Sequence, residues 1–272
     1  MLSCHPWLGC EELNKVEFIK HLGKGAVKNV SLVKWNDIPI VVSLPANAEY
    51  MEDFRNGIEA LKSLNPSQQV VQLIGYCDEP VALYTEYHPF GNAADFFTQF
   101  GLKNLTIGQS LGFCLQYSEI LRYLHNHTSG PRVFCDSNSL DKLLSQLLVT
   151  SQLTLILNDA DALPVVLDSS GIKCGHRQLE GTFVAPEQLW HIEGEFSDDL
   201  MPGYNEKTDI WKAASVCDYF LRQSDDGESV RYRLFDLHSR CKRHDPKLRP
   251  SANELRNEYI SVINEYNSHS EL

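Results

Sequence analysis

The sequence predicts an α+β protein in two lobes: a β-rich first lobe with one helix, then a mainly helical second lobe. Three observations point there. Between Glu17 and Tyr87, short β-branched and aromatic runs alternate with turn residues, broken once by a stretch of helical spacing. Pro89-Phe90-Gly91-Asn92 is a cluster of chain breakers. Beyond it, apolar residues recur mainly every three or four positions. A chain of 272 residues can form both lobes. The expected division is 1–16 as a cysteine-containing N-terminal segment, 17–88 and 89–266 as the lobes, and 267–272 as a frayed tail.

Glu17 to Trp35 reads as a strand, a glycine-bearing turn and a return strand with Val30, Leu32 and Trp35. Ile38 to Leu44 is a third strand, with Pro39 near its start, where a missing N–H does little harm. Glu49 to Leu64 is helical by the spacing of Met51, Phe54, Ile58, Leu61 and Leu64. Val70–Cys77 and Val81–Tyr87 alternate as two more strands. After the breakers, Ala93–Phe100 and Ser110–His125 read as helices. An apolar hairpin follows: Leu147 to Val149, a Thr150-Ser151 turn, and Leu153 to Leu157. Helices are expected again over about 209–222, 229–243 and 252–266.

A net charge of -12 argues against nucleic acid or an anionic membrane surface as the main partner. No apolar run approaches the roughly 20 residues of a membrane span, and no signal peptide is visible. Eight cysteines include Cys4 and Cys10, which flank a short loop that a disulfide can close. Cys77, Cys114, Cys174, Cys217 and Cys241 fit buried thiols equally well, and no spacing matches a zinc site. Asn104-Leu105-Thr106 and Asn126-His127-Thr128 are glycosylation triplets beside predicted loops, which points toward the secretory pathway.

Two constellations carry chemistry. Gly23-Lys24-Gly25-Ala26-Val27-Lys28-Asn29-Val30 places two glycines and two lysines at the tip of a strand pair, where backbone N–H groups can approach phosphate oxygens. The bland alternative is a plain hairpin turn. Asp136 stands on a loop, and the hairpin delivers Asn158-Asp159-Ala160-Asp161. One acid suits a substrate hydroxyl and the other suits a metal on a phosphate; the bland alternative is two solvated loop acids.

Over residues 17 to 266 the order of these parts resembles the protein-kinase fold. Ala185-Pro186-Glu187 resembles the family's A-P-E, and Asp209-Ile210-Trp211 its D-x-W. Arg249 before Pro250 resembles the late arginine that pairs with the A-P-E glutamate. The resemblance implies an ATP site in which backbone groups of Glu86 and His88 hold adenine. It gives Gly23, Gly25, Lys28 and Val30 to the phosphate loop, with Lys24 as a substitute for Lys28.

The departures are specific. Ser43 replaces the third-strand lysine, and Lys28 takes the third glycine position, as in the With-No-Lysine kinases. The helix glutamate becomes Gly57; Glu59 points about 200° away, so Asp53, one turn earlier, is the candidate replacement. His-Arg-Asp becomes Phe134-Cys135-Asp136, leaving the acid that orients the acceptor hydroxyl. The metal-binding asparagine normally lies about five residues later, where Asp141 stands. Ser145-Gln146-Leu147-Leu148-Val149-Thr150 instead resembles the motif around that asparagine, so Gln146 takes its role after an insertion. Asp159 is the metal acid of a Asp-Ala-Asp version of Asp-Phe-Gly, with Asp161 of open role. Mg²⁺ or Mn²⁺ is the implied metal.

These altered motifs, with Phe183 to Trp190, resemble a branch of kinase-fold enzymes that look like pseudokinases yet phosphorylate a sugar. That resemblance implies transfer of the ATP γ-phosphate to the 6-hydroxyl of O-linked mannose in a GalNAc-GlcNAc-Man trisaccharide on α-dystroglycan. It implies a type II membrane protein of the endoplasmic reticulum, kinase domain in the lumen and anchor outside the present sequence. Asn138, His176 and Trp190 are candidates for glycan contact. The rival readings are an inactive pseudokinase scaffold and an ordinary protein Ser/Thr kinase.

Overall fold

A computed structural model describes residues 6–99, 105–175 and 177–270, without the side chains of His269 and Ser270. The chain divides into two units: Met1–Pro89 with Leu157–Ala162, and Phe90–Ile156 with Leu163–Leu272. Leu157–Ala162, expected with the second lobe, therefore belongs with the first. The α+β reading holds within each unit.

The first unit is an antiparallel sheet of β1 (Glu17–Lys24), β2 (Lys28–Trp35), β3 (Ile38–Pro45), β4 (Leu73–Asp78) and β5 (Val81–Glu86), ordered β1-β2-β3-β5-β4. Asn36 and Asp37 turn the chain between β2 and β3 at φ of 46° and 64°, a left-handed pair that small polar residues tolerate. β3 is central, and Ile40, Val41, Val42 and Ser43 are buried in succession, whereas β1 is an exposed edge. Leu8, Val33, Ile40, Val42, Ile74 and Tyr84 form a core cluster on this sheet, each large apolar side chain stabilising by about 1.5–3 kcal/mol. The segment before β1 joins the sheet: Leu8 donates to Ile74 O, and Tyr76 donates back to Leu8 O. Gly75 permits that approach, since a Cβ there would lie 2.2 Å from Leu8 O. Cys10 and Cys77 are joined by a disulfide at the same edge. This corrects the expected Cys4–Cys10 loop; Cys4 itself lies outside the described residues.

Among the described residues of this unit the one α-helix, α1 (Met51–Leu64), begins two residues later than expected and buries Phe54, Gly57, Ile58, Ala60, Leu61 and Leu64. The fourth strand begins at Leu73 rather than Val70. Val71 instead donates to Leu157 O, and Leu157 donates to Gln69 O, which ties Leu157–Ala162 into this unit.

The second unit contains α2 (Ala93–Gln99), α3 (Ile107–His125), α4 (Leu140–Ser145), β6 (Leu147–Val149), β7 (Leu155–Leu157, shared with the first unit), α5 (Lys207–Leu221), α6 (Gly227–Arg233), α7 (Phe235–Cys241) and α8 (Ala252–Ser270). Phe100 and Asn104, named in the expected second-lobe helix and the first glycosylation triplet, lie outside the described residues. Thr106 caps α3, accepting from Gln109 N while the Gln109 side chain accepts from Thr106 N. α3 packs against α5 and α8. Cys114 and Cys217 bridge α3 to α5 covalently. Phe97, Phe113 and Phe220 lie 5.2–5.5 Å apart in edge and tilted contacts, an arrangement aromatic quadrupoles favour.

Three expectations are corrected here. The helix over 229–243 is two helices, broken where Leu234 takes φ −88°, ψ 1° and caps both. Leu153 belongs to the hairpin turn at φ 56°, so the return strand starts at Leu155. α8 continues to Ser270, past the expected end at 266. Among the described residues no helix is long and apolar enough to cross a membrane.

Candidate active site

In the first unit, Lys28 opens β2 with its side chain turned inward. Its Nζ lies 2.8 Å from Asp159 Oδ1 and 2.9 Å from Asp161 Oδ1. Burial opposes the charge on Lys28, yet the two carboxylates outweigh it and raise its pKa. Burial also opposes the charge on Asp159, but the Lys28 ammonium wins and holds that carboxyl below its usual range. Asp161 goes the other way. Burial, with the Asp159 charge adding to it, pushes its pKa up to about 8 despite Lys28. Near neutral pH Asp161 therefore mostly keeps its proton, and the Lys28 ammonium is balanced by the Asp159 carboxylate.

The loop before Lys28 is closed by Gly25 N–H donating to Lys28 O, and is fixed by Asn47 Nδ2 on Ala26 O and Ala46 N–H on Val27 O. A Cβ at Gly23 or Gly25 would meet no atom within 4 Å, so the protein's own packing does not call for glycine at either. An open backbone face suits close approach of phosphate oxygens. Val30 pairs with Gly23 on one side and Ser43 on the other, and Ser43 is buried where most kinases carry lysine. Lys24 is exposed.

The candidate replacement for the helix glutamate is corrected. Asp53 is exposed, on the solvent side of α1. The acid that meets Lys28 is Asp161, and a Cβ at Gly57 would lie 2.0 Å from its Oδ1. Helical register alone put Asp53 on the right face, but α1 passes too close to Asp161 to carry a side chain there.

At the end of β5, Glu86 N–H donates to Gln72 O, and its carboxylate accepts from Gln72 N–H. His88 Nε2 lies 3.2 Å from the same carboxylate. Burial works against the Glu86 charge, but His88 and Gln72 hold its carboxyl below the usual range.

In the second unit, Asp136 is half-buried on the loop after α3, between buried Phe134 and Ser137. Phe134 N–H donates to Asp209 Oδ2 at 3.0 Å, and His125 Nε2 lies 3.1 Å from that oxygen. Cys135, next to the acid, forms a disulfide with Cys174. Asp136 Oδ2 lies 2.8 Å from Lys142 Nζ and accepts from Gln146 Nε2 at 3.4 Å. Ser139 caps α4 by accepting from Lys142 N–H, and Gln146 is the residue that ends it. The inserted short helix thus presents both Lys142 and Gln146 to Asp136, while Asp141 on the same helix is exposed. Further along, Arg249 holds Glu187 with two bonds, of 2.6 and 2.7 Å, as the motif order implies.

Of the glycan candidates, Trp190 donates Nε1–H to Gly194 O and packs edge-on against Phe196, and Asn138 is half-buried. His176 lies outside the described residues. Sequence reasoning missed Lys142 and the pairing role of Asp161. Ser139 three residues before Lys142 is a helix-start signal that marks the insertion as ordered; Gly57 and Asp161 are an exchange visible only in space.

Among the described residues, no three His, Cys, Asp or Glu side chains gather into a metal site on their own. Asp159 supplies hard, ionised carboxylate oxygens with Asp161 beside it, which fits a magnesium-like cation that takes one or two carboxylates and completes its shell with phosphates and water.

Lys28 with its two acids, Asp136 beside Lys142 and Gln146, and the Glu187–Arg249 pair stand where the protein-kinase class keeps its motifs, and the chain is a phosphotransferase of that class, which uses ATP and generally a divalent metal. The family model for protein tyrosine and serine/threonine kinases matches residues 16–217. Within that class the chain belongs to the protein O-mannose kinases. It is 45% identical over 271 residues to a protein O-mannose kinase of Gallus gallus, covering 96% of this chain and 76% of that one. It is 43% identical over 272 residues to that of Homo sapiens (97% and 77%), and 43% identical over 270 residues to that of Xenopus laevis (96% and 76%).

Proposed function

We propose that this enzyme transfers the γ-phosphate of ATP to the 6-hydroxyl of an O-linked mannose, within a GalNAc-GlcNAc-Man trisaccharide carried on α-dystroglycan. The observation that carries the reading is the identity of 43–45%, over nearly the whole chain, to proteins named protein O-mannose kinase. Lys28 binds the phosphates from β2, freed from one of its two acids when they arrive. Asp161 keeps Lys28 aimed. Asp136 orients the mannose hydroxyl and takes its proton, and Lys142 neutralises the carboxylate until the hydroxyl engages it. Gln146 and Asp159 would hold Mg²⁺ or Mn²⁺, which when bound supplies neutralisation of charge on the phosphates. Gly23, Gly25 and Val30 enclose the nucleotide, and backbone groups of Glu86 and His88 hold adenine.

We infer residence in the endoplasmic reticulum lumen, with a membrane anchor outside the present sequence. Disulfides at Cys10–Cys77, Cys114–Cys217 and Cys135–Cys174 support an oxidising compartment. The direct test incubates the protein with ATP, Mg²⁺ or Mn²⁺ and the trisaccharide, and reads acceptor mass. A gain of one phosphate on the mannose is expected. No transfer would favour the scaffold reading, and equal phosphorylation of a bare peptide would favour a protein kinase.

A further inference from the structure

Lys212 is 1% exposed, one helical turn beyond Asp209 on α5, among side chains that are otherwise mostly apolar. A buried ammonium is costly unless paired and hydrogen-bonded. Its bonds all run to one short stretch of chain. Nζ donates to Ser137 Oγ at 2.7 Å and to Phe134 O at 3.5 Å. The Ser137 hydroxyl, accepting from Lys212, donates onward to Phe134 O. Ser137 N–H donates to Cys135 O, closing the turn. Lys212 Nζ lies 3.9 Å from Asp209 Oδ1, and the other oxygen of Asp209 takes the Phe134 N–H. Residues on both sides of Asp136 are thus fixed to one face of α5. Phe134 is held at its N–H by Asp209 and at its C=O by Lys212, and Ser137 is held at its hydroxyl.

An apolar residue of similar length would fill the same space without the burial penalty. What it cannot do is hold Ser137 and Phe134 at once, because a lysine offers three donors from one nitrogen. The bonds form a chain in which each polarises the next, so the turn has one arrangement rather than several.

We propose that Lys212 is a positioning residue for phosphoryl transfer: through Ser137 and Phe134 it sets where the Asp136 carboxylate meets the acceptor hydroxyl. The inference rests on the reading of Asp136 given above. A displacement of about 1 Å at a reacting group lowers turnover by roughly 100-fold, so kcat falls when this support goes while nucleotide binding stays.

The test measures kcat, acceptor KM, ATP Kd and thermal unfolding for Lys212→Met, Ser137→Ala and the double variant, beside Asp136→Asn. Expected are kcat losses of about 10- to 100-fold with ATP Kd unchanged. The double variant should be no worse than Lys212→Met, because both changes cut one chain. Ser137→Ala removes no buried charge and keeps the measurement available if Lys212→Met fails to fold. Wild-type kcat in folded Ser137→Ala, or parallel losses of ATP affinity and kcat in every variant, would overturn the proposal. Transfer surviving in Asp136→Asn would instead overturn the reading of Asp136, so the two failures are distinguishable.

Discussion

A Cβ at Gly57 would lie 2.0 Å from Asp161 Oδ1, so α1 lacks a side chain at the point where Asp161 reaches Lys28. Most kinases place a glutamate on this helix and a glycine after the metal aspartate. Here the acid and the glycine have exchanged positions, and an acid is still paired with Lys28. Gly57→Ala is expected to destabilise the protein by about 1–3 kcal/mol through overpacking and to raise the ATP Kd by displacing Asp161. Adding Asp161→Gly should relieve the crowding, so the double variant melts above the sum of the two single losses. Thermal unfolding and nucleotide titration of the four proteins read this directly.

Lys28→Ala is expected to raise the ATP Kd and lower turnover, by at least about tenfold each given a charge-assisted contact to phosphate. Lys24→Ala, changing an exposed side chain, should do neither. A damaging Lys24→Ala beside a silent Lys28→Ala in the same titration would reverse the assignment.

The inserted helix α4 makes a second pair of contrasts. Gln146→Ala should weaken metal-dependent nucleotide binding, whereas Asp141→Ala should leave it unchanged; metal titration at fixed ATP separates them. Lys142→Met removes the partner 2.8 Å from Asp136 and is expected to lower kcat, with Lys142→Arg recovering most of it.

His238 sets a pH dependence of stability. It lies between α7 and α8, with Nε2 3.1 Å from Tyr259 Oη, and burial lowers its pKa to about 4. The unfolded chain protonates near the ordinary value of about 6.5. Between those values the unfolded state holds the extra proton, so the contribution is present above about pH 6.5 and is lost as pH falls toward about 4. Urea unfolding at pH 7 and pH 5 should show a loss on the order of 2 kcal/mol from this group, and His238→Gln should remove that part of the difference.

Alkylation under denaturing, non-reducing conditions followed by peptide mass mapping should label Cys241, which is buried but free in the native fold. Cys10, Cys77, Cys114, Cys217, Cys135 and Cys174 should remain unlabelled until reduction. Label on all eight cysteines would count against an oxidising compartment.

Much of this was legible in the chain because the kinase motifs keep their order even when their residues change. Lys28 drew notice in the chain, since a lysine in a glycine loop stands out where Ser43 has replaced the usual one, but its pairing with Asp159 and Asp161 is seen only in the fold. Asp53 was misread because helical angle says which way a residue points, not how near the neighbouring chain passes; only the Gly57–Asp161 approach decides that. The break at Leu234 left no trace, since apolar spacing continues through it and neither proline nor glycine marks it. Disulfide pairing was beyond reach, because eight cysteines allow on the order of 100 complete pairings. Lys212 was invisible for a simpler reason: a lysine in an amphipathic helix reads as surface until burial is known.

Cys135 and Cys174 carry one last implication. The first adjoins Asp136, and the second lies in the stretch between Asp159 and the Ala185-Pro186-Glu187 motif, where its N–H also donates to Tyr204 Oη. In many kinases that stretch is ordered by a phosphate that is added and removed. Here a covalent bond ties that stretch to the residue beside Asp136. That tether holds as long as the surroundings stay oxidising, so the arrangement beside Asp136 is tied to the redox state of the compartment.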